Sequence, residues 1–195
     1  MCGRYDLNET GTRIKRMFSV KQVPLFEPNP DLRPTDAALI VRLDQSGERE
    51  AVVMRWGFAP PFAKDGKDRI NARGESVPTA YRDAYRNRRC LVPANAFNEW
   101  SGQKGSKIKW RITLRDEPLF AFAGLWDWWR DPKDPDSALV EAFTIITTVP
   151  NDILADIHDR MPVIVGEADY QEWLEAGSRA LLRPVPSELI DVVVA

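Results

Sequence analysis

Ala37-Ala38-Leu39-Ile40-Val41-Arg42 is followed by Asp44-Gln45-Ser46-Gly47 and then by Ala51-Val52-Val53-Met54-Arg55. Two short runs of aliphatic and β-branched residues flank a polar, glycine-containing break, the pattern of a β-hairpin. Working outward, further strands are expected at Cys90–Val92, Lys107–Leu114, Leu119–Ala123 and Ala142–Thr147. In Lys107–Leu114 the apolar residues Ile108, Trp110, Ile112 and Leu114 alternate with polar ones, the period of a half-buried strand. Helices are expected at Asn8–Met17, where Asn8 or Thr10 can cap, at the basic stretch Thr79–Asn87, and at Ala168–Ala176. Pro184–Val193 is read as one more turn or a short helix. The 15 prolines keep the strands short and favour a curved sheet over a long open one. The expected fold is therefore α+β and β-dominated: a barrel-like curved antiparallel sheet with peripheral helices, in one domain over residues 1–195.

The composition, 44% hydrophobic and 29% charged, is that of a globular chain and argues against disorder. No apolar run approaches the roughly 20 residues of a membrane span, and the N-terminus has no apolar signal region. Cys2 and Cys90 are too few for a disulfide framework, and a single histidine leaves no zinc-ligand cluster. A cytoplasmic monomer without cofactor or metal is the expectation. Charge is segregated along the chain: residues 1–63 carry a net +1, residues 64–115 a net +8 and residues 116–195 a net −11. A basic middle third on an acidic chain suits a polyanion; the alternative is a solvated surface with scattered Arg and Lys. Arg130–Ser137 reads as a surface loop.

Several residues have chemistry to offer. Removal of Met1 would leave Cys2 as residue one, with its α-amine beside its thiol. The amine titrates near ~7.7–8.0 and the thiol near ~8.5, so both nucleophiles are accessible near neutrality. Such a pair condenses with an aldehyde to an imine and closes through sulfur to a thiazolidine. The alternative is a small residue in a frayed terminus. His158 is the one histidine and could move a proton or serve structurally. Glu99 lies between Phe97 and Trp100, where desolvation would raise its pKa; equally, it could alternate outward on a strand. Asn71 and Arg73 could orient a substrate oxygen and a phosphate, as few loop residues of these types do. Trp56 ends a strand before a Gly–Pro turn, where its ring could stack on an unpaired base or belong to the core. Trp110, Trp126 and Trp173 are core expectations.

Five segments then occur in one order: MCGRY at 1–5, WGFAP at 56–60, INARGES at 70–76, FNEW at 97–100 and IHDRMP at 157–162. Together they resemble the SRAP family, the SOS response-associated peptidases or abasic-site-shielding proteins, over almost the whole chain. The resemblance implies a mature N-terminal cysteine that crosslinks covalently to the aldehyde of an abasic site in single-stranded DNA. It implies Cys2 as nucleophile, Asn71 holding its reacting end, Glu99 carrying protons and His158 acting on the sugar hydroxyl. Arg4, Arg73 and Arg160 would grip phosphates, with Trp56 and Thr147 along the strand, and Arg82, Arg86, Arg88 and Arg89 extending the basic track. It also implies self-removal of Met1, with a lyase side activity. Two departures stand out. Asp31-Leu32-Arg33-Pro34-Thr35 replaces a common Asn-x-x-Pro-Thr, and an Asp facing DNA would repel phosphate; and the chain ends at Val192–Ala195, a short C-terminal form. Two other functions compete: a cysteine peptidase acting on other proteins, and a non-covalent single-strand-binding module in which Cys2 is incidental.

Overall fold

The computed structural model describes every residue except Met1, Pro61, Phe62, Lys64, Gly66, Lys104, Pro132 and Pro135. Met1, whose removal the sequence suggests, and two prolines of the Arg130–Ser137 loop thus lie outside the described residues. In chain order the strands are β1 (Tyr5–Leu7), β2 (Asn29–Leu32), β3 (Ala37–Leu43), β4 (Arg49–Trp56), β5 (Asn71–Arg73), β6 (Arg89–Ala94) and β7 (Ala96–Ser101). There follow β8 (Ile108–Leu114), β9 (Phe120–Trp129), β10 (Val140–Thr148), β11 (Met161–Pro162), β12 (Ile164–Val165) and β13 (Ile190–Val194). The helices are short: α1 (Gly11–Phe18), α2 (Val77–Ala80), α3 (Arg82–Asn87), α4 (Asp152–Ala155) and α5 (Tyr170–Ala176).

The expected hairpin is β3–β4, with Ala37 opposite Arg55 and Leu43 opposite Arg49. The Asp44 carboxylate fixes its turn by accepting from the Ser46 and Glu48 backbone N–H groups at 2.8 and 2.9 Å. From this hairpin a barrel closes: β4 pairs β3, β3 pairs β6, β6 pairs β9, β9 pairs β10, and β10 returns to β4. Five strands cannot alternate in direction all the way round a closed ring, so one neighbouring pair must be parallel. That pair is β10–β4, with Phe143 beside Trp56. An antiparallel sheet was expected, and the odd strand number is the reason for this exception.

The same parallel edge positions the site. After Trp56 the chain leaves β10 through Gly57, whose φ of +102° lies in the left-handed region. It rejoins the edge as β5, where Asn71 pairs with Ile145 and Arg73 with Thr147. A second sheet, ordered β13-β8-β7-β1-β2, packs on the barrel through an aromatic cluster. Tyr5 of β1 meets Trp56 edge-on at 5.1 Å and Phe122 at 5.8 Å, and Phe97 of β7 meets Phe122 at 5.8 Å.

Helix α1 is capped by Thr10, whose hydroxyl accepts from the Arg13 N–H at 3.3 Å, and it buries Ile14 and Phe18. Helix α5 buries Tyr170, Trp173 and Leu174, and the Trp173 Nε1–H donates to the Cys90 carbonyl at 2.9 Å. The basic stretch at 79–87 does not form one helix; Tyr81, at φ −111° and ψ 31°, separates α2 from α3. Pro184–Val193 holds only a 3₁₀ turn, Ser187–Leu189, before β13, which pairs with β8. Of the three expected core tryptophans, Trp173 is fully buried, whereas Trp110 and Trp126 are partly buried.

Candidate active site

The N-terminal segment is seated between the two sheets. Tyr5 pairs with Phe97, and the Asn98 N–H donates to the Arg4 carbonyl at 2.9 Å, so Cys2–Arg4 runs alongside Asn98 and Glu99 of β7. From the barrel side, Asn71 at the start of β5 donates its Nδ2–H to the Cys2 carbonyl at 2.8 Å. Cys2 is fully buried, and its thiol lies 3.9 Å from the Arg4 carbonyl, a weak donor contact. Asn71 Oδ1 and Asn98 Oδ1 are both buried without a hydrogen-bond partner among the described residues. The Asn71 oxygen, on the amide that holds the Cys2 carbonyl, is costly to bury unless a ligand or water uses it.

Glu99 is only 2% exposed, and burial above all pushes its carboxyl up to about 7. The charge of Asp159 adds to that rise, which places the His158–Asp159 turn within electrostatic reach of Glu99. The Cys2 thiol is raised well above its ordinary value, first by burial and then by the neighbouring Glu99 charge. It therefore holds its proton at neutral pH. The site thus contains a protonated thiol and a carboxyl poised to gain or lose a proton near pH 7.

His158 is held by the turn after α4. Asn151 caps α4 by accepting from the Leu154 N–H at 3.0 Å, and the His158 N–H donates to the Leu154 carbonyl at 2.8 Å. The ring's Nδ1 accepts from the Arg160 N–H at 3.0 Å, which puts the proton of the neutral ring on Nε2. The Asp159 Oδ1 lies 2.8 Å from the same nitrogen and favours the charged ring, yet burial outweighs it and lowers the His158 pKa. His158 is therefore a neutral donor at pH 7, able to hydrogen-bond an oxygen.

The basic residues divide into two groups. Arg73 is exposed at the end of β5, opposite Thr147. Arg160 is mostly buried and ties its surroundings together: it makes a two-pronged pair with Glu75 at 2.7 and 2.9 Å and donates to the Thr147 carbonyl at 2.6 Å. Thr147 is itself buried, so its side chain is part of the wall, not of a contact surface. Arg4 stacks its guanidinium over Trp100 at 5.9 Å and pairs with Asp31 at 2.7 Å. Asp31 therefore faces arginines.

Two expectations are corrected. Trp56 offers no face to an unpaired base: it is 0% exposed, stacked on Phe143 at 6.2 Å, and its Nε1–H donates to the Ile70 carbonyl at 3.0 Å. It is a core residue, placed there because the parallel β4–β10 register turns that side chain inward. Arg88 and Arg89 are not a polyanion track either. Arg88 pairs with Asp83 at 2.6 Å and Asp127 at 3.1 Å. Arg89 donates to the carbonyls of Trp173, Leu174 and Glu175 at the end of α5 and to those of Tyr85 and Arg86 in α3, closing two helix C-termini. Arg82 and Arg86 remain exposed on α3. Glu75 and Asp159 join the site without having been singled out. Each sits inside or beside a quoted motif, but its partner is distant in sequence or unreadable without the β-pairing.

Comparison with known proteins identifies the family. A family model described as SOS response associated peptidase (SRAP) matches residues 1–193. The chain is 38% identical over 183 residues to Abasic site processing protein YoqW of Bacillus subtilis (strain 168), covering 89% of this chain and 80% of that one. It is equally similar to Abasic site processing protein YoaM of the same organism, covering 89% and 79%. A crystal structure of a protein from Bacteroides thetaiotaomicron superposes with a TM-score of 0.86 at 24% identity, over 99% of this chain and 91% of the other, and shares the fold. With nearly its full length matched and the motif residues Asn71 and Glu99 gathered at one buried cysteine, this chain belongs to the SOS response associated peptidase (SRAP) family.

Proposed function

We propose that this protein captures abasic sites in single-stranded DNA, forming a covalent thiazolidine through Cys2 and so shielding the lesion. The observation that carries the reading is the convergence on Cys2 of Asn71, which holds its carbonyl at 2.8 Å, and Glu99, whose carboxyl is pushed up to about 7. The two Bacillus subtilis relatives bear the name of abasic site processing proteins, which supports the same substrate.

The chemistry starts with hydrolysis of the Met1–Cys2 bond. One water is consumed, methionine leaves, and the Cys2 amine is freed; we assign this step to the site itself, as the peptidase reaction. The amine then adds to the C1′ aldehyde of the ring-opened sugar. Glu99 protonates the resulting hydroxyl, which leaves as water, and an imine remains. The thiol adds across the imine: the S–C bond forms, the C=N π pair moves to nitrogen, and the thiol proton goes to that nitrogen. Glu99 regains its proton from the iminium nitrogen as the neutral imine forms, so the carboxyl ends as it began. His158, neutral with Nε2–H available, donates to a sugar hydroxyl. Exposed Arg73 takes a flanking phosphate and the partly exposed Arg4 another, while Arg160 orders the wall at Thr147. Reversal and β-elimination use the same imine, and the protein acts as a monomer.

The test compares wild type with Cys2→Ser on a denaturing gel after incubation with an abasic single-stranded oligonucleotide. A retained band for wild type only supports the reading. Equal non-covalent retention of both under native conditions, with no denaturation-stable band, would favour a plain binding module; Cys2-dependent cleavage of an added protein would favour a general peptidase.

A further inference from the structure

Arg4, two residues after Cys2, and Arg33 share one carboxylate. The Asp31 Oδ1 accepts from Arg4 Nη1 at 2.7 Å, and Oδ2 accepts from the same nitrogen at 2.9 Å. Oδ2 also accepts from Arg33 Nε at 3.0 Å and from Arg33 Nη2 at 2.6 Å. The Asp31 backbone N–H is turned away, donating to Asn29 Oδ1 at 2.8 Å. Four charge-assisted contacts on one small anion are what a phosphate oxygen pair would receive in the same place. The arrangement is open to solvent: the side chains of Arg4, Asp31 and Arg33 are 33%, 34% and 58% exposed. Arg4 is two residues from Cys2, within about 7 Å along the chain. Its backbone is pinned by the Asn98 N–H at 2.9 Å, and its guanidinium lies over Trp100 at 5.9 Å.

We infer that Asp31 sets the affinity of the site by acting as an internal competitor for the Arg4–Arg33 pair, so that a DNA phosphate must displace the chain's own carboxylate to be gripped there. The inference rests on the proposed DNA substrate but not on the covalent step. Its consequence is selectivity. A protein whose phosphate grip is self-occupied binds undamaged single strands weakly, and an abasic site is retained because the covalent bond holds it. The pairing keeps the Asp31 carboxyl ionised: burial works against this, but the hydrogen bonds from Arg33 and Arg4 outweigh it and lower its pKa. The competitor is therefore present at every pH where DNA is bound. Glu75 differs in kind, because its partner Arg160 is only 11% exposed and also holds the Thr147 carbonyl. That pair shapes the wall and offers no vacant guanidinium.

The experiment measures fluorescence anisotropy of a labelled oligothymidylate without an abasic site, across a salt series, for the otherwise unchanged chain and its Asp31→Asn variant. Asparagine keeps the shape and removes the charge. The expected result is about tenfold tighter binding at low salt, the scale of one charge-assisted contact. The slope of log K against log salt steepens by about 0.7–1.4, for one or two new phosphate contacts on a single strand. Asp31→Ser, equally uncharged, should behave alike, which guards against a folding defect of one variant. Glu172→Gln, removing an exposed charge on α5, should change neither quantity. Unchanged or weaker binding in both Asp31 variants, or an equal gain in Glu172→Gln, would overturn the inference. Failure of the underlying reading is seen separately: no binding of the oligonucleotide by the wild-type chain or any variant at low salt would remove the DNA substrate itself.

Discussion

Replacing Glu99 by glutamine should change the way stability depends on pH, and the direction is opposite to that of an ordinary surface carboxylate. Burial raises the Glu99 carboxyl from 4.5 to about 7. A raised carboxyl binds more protons in the folded than in the unfolded chain between those two values. The favourable contribution is therefore complete below the unfolded pKa and is lost as pH rises through about 7. At pH 5 the folded group is almost wholly protonated while the unfolded one is mostly ionised; at pH 8 both are ionised. The difference amounts to about 2.5 kcal/mol lost by wild type between those pH values. The glutamine side chain is neutral throughout and loses none of it. Urea unfolding followed by tryptophan fluorescence at pH 5, 6, 7 and 8 should thus show Glu99→Gln gaining on wild type by about 2.5 kcal/mol across the series. Titration of His158 affects both proteins and drops out of the comparison to first order. In the crosslinking assay wild type should slow above pH 7, as the acid form disappears, and Glu99→Gln should be slow at every pH. A pH-independent stability difference would refute the reasoning, because it would mean that the carboxyl does not titrate in this window.

Two further outcomes separate wall from surface. Trp56→Ala should destabilise the protein by about 3–5 kcal/mol, as removal of a buried indole does, while DNA affinity under conditions where the variant remains folded stays within about twofold of wild type. A large loss of affinity without a loss of stability would restore the stacking role. Arg73→Ala should weaken binding and make the salt slope shallower by about 0.7, one phosphate contact on a single strand. An unaltered slope would take its guanidinium off the phosphate.

What could be read from the residues was what depends on near neighbours. Alternation and the polar turn revealed β3–β4 as a hairpin, Asn8 or Thr10 could cap the first helix and Thr10 holds that place, and Tyr170, Trp173 and Leu174 marked the buried face of α5. The motifs singled out Cys2, Asn71, Glu99 and His158, and the fold brings Asn71 to Cys2 and the charge of Glu99 to its thiol. What escaped depends on distant partners. Strand β9 runs on to Trp129, beyond the expected end at Ala123, because Gly124 marks close packing and not a turn: a Cβ there would lie 2.8 Å from Cys90 Sγ. Strand β13 exists because β8, far earlier in the chain, supplies its ladder. The basic middle third seemed to advertise a polyanion track, yet Arg89 closes two helix ends and Arg88 pairs with Asp83 and Asp127. A count of charges along a chain cannot tell an exposed cation from one committed to carbonyls. Trp56 followed the same logic: a parallel strand pairing fixed by barrel closure decided which way its ring points.

The central claim, a covalent bond between the mature Cys2 and an abasic site, is tested most directly by intact mass spectrometry of the denatured protein before and after incubation with a single-stranded oligonucleotide carrying one abasic site. The account predicts a chain lighter by Met1, then a species heavier by the oligonucleotide less one water, absent from Cys2→Ala. A chain that retains Met1, or a sample that shows no adduct mass under these conditions, would contradict it.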